Sequence, residues 1–123
     1  MTRINCIPVK ELTREHLIAE YRELPRVIKL ANKCKDFSDI PKDYVLGAGH
    51  VKFFYNKLGY LCNRYVDITL EMSGRGYKTN AKLVNDVLLS FTETPNRLMG
   101  DWKPTQQAQE INRQRIADRL AGK

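Results

Sequence analysis

An all-α fold is predicted by three features of this 123-residue sequence. Two segments carry apolar residues at alternating spacings of three and four, the signature of a helix with one buried face. No segment alternates apolar and polar residues as a half-buried strand does, and no internal repeat is present. The length suits one compact core and is too short for two, so residues 1–123 are expected to form a single domain of about three main helices with long connecting loops.

The elements follow in order. Thr13 is a candidate N-cap for a first helix whose apolar stripe is Leu17, Tyr21, Leu24, Ile28 and Ala31. At about 100° per residue, Arg22, Arg26, Lys29 and Lys33 fall opposite that stripe, while His16 and Glu23 share a flank between the two faces. A turn-rich segment, DFSDIPKDYVLGAGH, leads to a second helix from roughly Asn56 to Met72, with Leu58, Leu61, Tyr65, Ile68 and Met72 on its stripe. Gly74 and Gly76 are expected to stop it. Val84, Val87, Leu88 and Phe91 suggest a short third element, and Pro104 opens a last helix to about Ala121 with a weak stripe of Ala108, Ile111, Ile116 and Leu120.

Charge narrows the choice of partners. With 21 Lys and Arg against 14 Asp and Glu, the net charge of +7 suits a polyanion, most simply nucleic acid. Cys6, Cys34 and Cys62 form no CxxC pair and cannot all be paired, which points to a reducing compartment. His16 and His50 lie at no zinc-like spacing from a cysteine, so no metal is expected. The start MTRINCIPVKEL lacks the apolar run of a signal peptide, and no stretch approaches the ~20 residues of a membrane span. A soluble, cytoplasmic protein without cofactor or membrane contact is expected.

The stretch AEYRELPRV, beginning at Ala19, sets Glu23 between Arg22 and Arg26 and places Pro25 within the helical pattern. Pro25 removes the amide that would bond the Tyr21 carbonyl, at a cost of about 3 kcal/mol or more. By itself the stretch reads as a kink between two helices and a solvated charge run. GAGH at 47–50 reads as a tight turn feeding the second helix, with phosphate binding by its amides as the alternative. Phe53, Phe54 and Tyr55 read as core beneath that turn, and Asp67 and Glu71, four apart, as solvated face rather than a Mg²⁺ pair.

Four stretches carry a resemblance: MTRIN at the start, HLIAEYRELPRV from His16, LGAGHVKFFYNKL from Leu46 and GDWKP from Gly100. Together they resemble the phage-type pyrimidine-dimer DNA glycosylase and AP lyase family, historically called endonuclease V and distinct from the deoxyinosine nuclease of that name. The first 28 residues and about 45–64 carry most of the similarity.

The resemblance implies a nucleophile, a carboxylate and a set of DNA contacts. The nucleophile is the α-amine of Thr2, exposed when Met1 is removed, and Glu23 is the catalytic carboxylate. An α-amine with pKa near 7.7 to 8.0 is about one third neutral at about pH 7.4, against about a thousandth for lysine. It attacks the sugar C1′, expels the base and leaves an imine, whose C2′ proton is then lost as the 3′ phosphate leaves. His16, Arg22, Arg26, Arg115 and Arg119 are the implied DNA contacts, Arg3 beside the nucleophile is a further candidate to grip a phosphate, and the partner is duplex DNA with a damaged or abasic site, bound by a monomer. The alternatives are a non-catalytic DNA-binding module on the same scaffold and a glycosylase for another modified base. Glu15 stands where the family usually has glutamine, the aromatic, lysine-containing family tail has no counterpart after RLAGK, and residues 29–44 and 74–96 diverge. The lyase chemistry is therefore more firmly implied than dimer specificity.

Overall fold

The computed structural model describes residues 3–122. It is all-α: α1 (Arg14–Lys33), α2 (Leu58–Gly74), α3 (Ala81–Thr92) and α4 (Gln106–Ala121) are joined by loops and three single 3₁₀ turns. Among the described residues the only β pairing is an isolated antiparallel bridge between Lys57 and Met99. The short third element expected from Val84 to Phe91 is a helix of 12 residues, capped by Asn80, whose side chain accepts from the Leu83 amide at 3.1 Å.

α1 begins where the Thr13 hydroxyl accepts from the His16 amide at 3.3 Å, satisfying one of the amides that a helix start leaves unbonded. It then runs unbroken for 20 residues with Pro25 inside it. The stripe that spans Pro25 forms one helix, as its spacing predicts, and Leu17, Leu24, Val27, Ile28 and Ala31, on both sides of the proline, are buried in the same core. That shared burial offsets the lost hydrogen bond.

α2 starts two residues later than the periodicity suggests, at Leu58, and ends with the Tyr77 amide bonded to the Met72 carbonyl at 2.9 Å and the Gly76 amide to the Ser73 carbonyl at 3.0 Å. Those two bonds form a Schellman closure. Gly76 therefore makes the stop and Gly74 is the last helical residue. The start of α2 is pressed by the turn before α4. The Tyr60 amide bonds the Gly100 carbonyl at 3.1 Å, and a Cβ on Gly59 would lie 2.6 Å from the Met99 carbonyl oxygen. Next to this contact Trp102 packs edge-on against Phe53 and Tyr60, each at 5.1 Å between ring centres. Phe53 and Phe54 are core, as the sequence suggests.

α4 is capped by Thr105, whose hydroxyl accepts from the Ala108 amide at 3.0 Å, so Pro104 precedes the helix instead of opening it. Its buried positions are Ala108, Asn112 and Ile116. Leu120 is exposed, and the weak stripe is completed by a polar side chain.

Among the described residues no helix is long and apolar enough to cross a membrane, and no group of three or more His, Cys, Asp or Glu could hold a metal ion. Glu71 pairs with Arg75 at 2.7 Å on the same helix face. The three cysteines are free thiols, and burial pushes that of Cys6 up to about 12.

Candidate active site

The segment before α1 is buried from Ile4 to Ile7 and belongs to no helix or sheet that would bond its peptides. Side chains from three helices and one loop take the place of neighbouring strands. Asn112 of α4 accepts from the Cys6 and Ile7 amides at 2.7 and 3.2 Å and donates to the Asn5 side chain at 2.7 Å. Asn5 in turn donates to Glu20 of α1 at 2.8 Å. Arg64 of α2 reaches the Ile7 carbonyl at 2.8 Å, and Gln109 of α4 reaches that of Cys6 at 3.4 Å. The Ile4 amide donates to His50 at 2.8 Å and the Ile4 carbonyl accepts from the Tyr44 hydroxyl at 2.9 Å. A buried peptide group left without such partners would cost free energy comparable to a lost hydrogen bond.

At the centre of this network lies the ion pair of Glu20 and Arg64, with Nε to Oε2 at 2.5 Å and a second bond from Nη2 to Oε1 at 3.1 Å. The Glu20 side chain is 0 % exposed and that of Arg64 7 %. Burial alone would pull the guanidinium down, but the Glu20 charge beside it more than compensates and holds Arg64 above its ordinary value. The pair is bidentate, and both partners make further hydrogen bonds, which is what a desolvated ion pair requires.

Above the network opens a cleft of about 500 Å³. The N-terminal segment contributes Arg3 to it, α1 contributes Glu15, His16, Ala19 and Glu23, and α4 contributes Arg115, Asp118 and Arg119. The structure thus brings together five of the residues singled out by the sequence: Arg3, His16, Glu23, Arg115 and Arg119. Thr2 lies outside the described residues. His16 and Glu23 face the cleft together because seven residues return a helix almost to the same azimuth. The Thr13 hydroxyl also engages His16 Nδ1, at 2.6 Å, which orients the ring.

Glu23 is half-buried and makes no hydrogen bond or ion pair with any described residue. Burial, then the charges of Arg3 and Arg119, pull Arg115 below its ordinary value. An anion entering among these guanidinium groups relieves that repulsion. The cleft therefore combines a carboxylate able to face a cationic centre with guanidinium groups able to hold anions on either side of it.

Arg22 and Arg26 are exposed and are not in this cleft. They line a separate groove of about 480 Å³ with Tyr21, Pro25 and Lys29 on the α3 side of α1. Relative to Glu23 they are rotated about 100° and 60° in the same sense, and Glu20 about 60° in the other. Glu23 thus stands on the rim of a basic ridge, and the two arginines flank it in sequence but not inside the cleft. Arg113 is turned away from the cleft altogether and pairs with Glu11 through two bonds of 2.9 and 2.8 Å.

Four residues important to this architecture were missed in the sequence: Glu20, His50, Arg64 and Asn112. Three of them carry a readable signal, a polar residue at a core position of an apolar stripe. Glu20 falls between Leu17 and Leu24, Arg64 between Leu61 and Ile68, and Asn112 between Ala108 and Ile116.

Fold and cleft together define a small helical protein whose cleft sets guanidinium groups beside carboxylates. The sequence matches the family model described as pyrimidine dimer DNA glycosylase over residues 1–85, and the chain belongs to that family. The matched span holds the N-terminal segment, α1 and α2, so the α4 wall of the cleft, with Arg115 and Arg119, lies outside it.

Proposed function

We propose that the protein is a DNA repair glycosylase with AP lyase activity, acting on UV-damaged duplex through an imine formed by the α-amine of Thr2. The observation that carries this reading is the position of Glu23, without a partner among the described residues, in the same cleft as Arg3. Removal of Met1 is required, since until then the Thr2 nitrogen is a peptide amide and not a nucleophilic amine.

The neutral amine attacks C1′ of the damaged nucleotide, the C1′–N bond breaks, and the base departs with the bonding pair and a proton. The Glu23 carboxylate stabilises the cationic sugar during this step. Loss of an amine proton and ring opening give the imine. Its positive character acidifies C2′, a base takes the proton, and the electrons expel the 3′ phosphate as the new C2′–C3′ double bond forms. Water then releases the amine. Arg3, Arg115 and Arg119 hold backbone phosphates at the cleft, and Arg22 and Arg26 hold phosphates on the other side of the α1 ridge, fixing register without reading sequence. His16 faces the sugar beside Glu23.

Borohydride trapping on abasic duplex tests this reading. A covalent protein–DNA adduct is expected, abolished when the N-terminus is blocked and persisting in EDTA. Tight duplex binding with no adduct would establish a binding module instead, and cleavage abolished by EDTA a metal-dependent nuclease. A panel of duplexes bearing one lesion each then identifies the base removed.

A further inference from the structure

The loop from Tyr44 to His50 carries the GAGH turn, and two of its side chains hold the peptide groups of Ile4. His50 is 1 % exposed and both of its ring nitrogens meet backbone atoms. Nδ1 lies 2.7 Å from the Val45 carbonyl oxygen, which only an N–H can satisfy. The proton therefore sits on Nδ1, leaving the Nε2 lone pair to accept the Ile4 amide at 2.8 Å. Tyr44 donates its hydroxyl to the carbonyl of the same residue at 2.9 Å, and the two rings meet edge-on at 5.3 Å. Both polar backbone groups of Ile4 are thus fixed by one loop.

The turn supplies the approach. Gly47 and Gly49 take φ of +76° and +87°, a region that side chains disfavour, and a Cβ on Gly49 would stand 2.9 Å from Pro41 Cγ. The His50 amide closes on the Gly47 carbonyl at 3.1 Å, which turns the ring inward toward the N-terminal segment. Burial pushes the imidazole down to about 4 against the opposing pull of the Val45 carbonyl, and Arg3 and Arg115 act in the same direction as burial. The ring stays neutral, and an acceptor, at neutral pH.

We propose that His50 is a positioning residue for the N-terminal amine: by holding the Ile4 amide it fixes the direction in which the chain leaves the core two residues downstream of Thr2. The inference rests on the reading of Thr2 as nucleophile. Two residues span at most about 7 Å, so a rotation at Ile4 is carried to the amine with little attenuation. A misplacement of about 1 Å in a reacting group costs about 10²-fold in rate.

Single-turnover borohydride trapping on abasic duplex, with wild type, His50→Gln and His50→Phe, provides the test. Phenylalanine keeps the ring packing and removes the acceptor, whereas the glutamine carbonyl restores one. We expect trapping by His50→Phe to fall about 10- to 100-fold with duplex affinity within twofold of wild type, and His50→Gln to recover most of the rate. Wild-type trapping by His50→Phe, or a loss matched by an equal loss of affinity, overturns the proposal. Absence of any adduct with the wild type overturns the nucleophile assignment itself.

Two measurements read the clamp apart from chemistry. Hydrogen exchange at the Ile4 amide should be slow in wild type and at least about tenfold faster in His50→Phe, with the Leu24 and Leu61 amides unchanged. Equal exchange at Ile4 overturns the clamp. Should His50→Phe fail to fold, the ¹⁵N spectrum of wild-type His50 at pH 7 decides: an unprotonated Nε2 and protonated Nδ1 support it, and the opposite tautomer overturns it.

Discussion

Glu20 and Glu23 are the same residue type, one turn apart on one helix, and the structure gives them opposite situations. Glu20 is sealed against Arg64 and Asn5 in the core, and its side chain is 0 % exposed. Glu23 stands half-buried at the cleft with no partner among the described residues. A rotation of about 60° around α1 separates a carboxylate that assembles the fold from one available for chemistry. The first holds the N-terminal segment on which Arg3 is carried, and the second faces the same cleft as Arg3. A carboxylate alone therefore says little about its use, and the opposing surface says most of it.

Substitutions that exchange these two situations provide the strongest tests. Glu23→Gln should lower adduct formation by about 10²-fold or more in a trapping assay, while urea denaturation places its stability within about 0.5 kcal/mol of wild type. Arg64→Met should do the reverse. It leaves Glu20 buried and unpaired at a cost of about 3–5 kcal/mol, read as a lower denaturation midpoint. A variant of Glu23 that destabilised the fold as much as Arg64→Met would erase the distinction.

The pH dependence of stability sharpens it further. His50 is held down to about 4 in the folded protein against 6.5 for the free group. Below about pH 6.5 the unfolded chain binds a proton that the folded chain refuses until about pH 4. Its contribution is therefore complete above pH 6.5 and is lost as pH falls toward 4. The shift corresponds to about 3 kcal/mol, measured as the difference between wild type and His50→Phe in denaturation at the two ends of that range.

Asn112→Ala removes the acceptor shared by the Cys6 and Ile7 amides and should cost about 1–3 kcal/mol by the same denaturation measurement. The smallest effects belong to the exposed cations. Arg119→Ala should leave stability unchanged and reduce the log–log salt slope of duplex binding by about 0.9, the share of one phosphate contact. Arg113→Ala, whose side chain pairs with Glu11, should leave that slope unaltered.

What was legible in the sequence was periodic or local. The stripe of α1 correctly named Leu17, Leu24, Ile28 and Ala31 as buried, and the same spacing put His16 and Glu23 on one flank. Thr13 was recognised as a cap because its hydroxyl acts three residues away. The local cost of Pro25 is legible in the sequence, whereas the burial that offsets it comes from the one core that both halves of α1 share.

Sequence by itself determined the helices, the basic balance and the family, since each depends on residue type and on spacings that a helix or a motif repeats within a few turns. Tertiary structure alone decided that Glu20 meets Arg64 and that Asn112 and His50 hold the N-terminal segment. It also decided that Arg115 and Arg119 close the cleft facing Glu23, while Arg22 and Arg26 remain outside. These contacts join residues 44 to 107 positions apart, and their free energy comes from desolvation and pairing across the core, which no local pattern encodes.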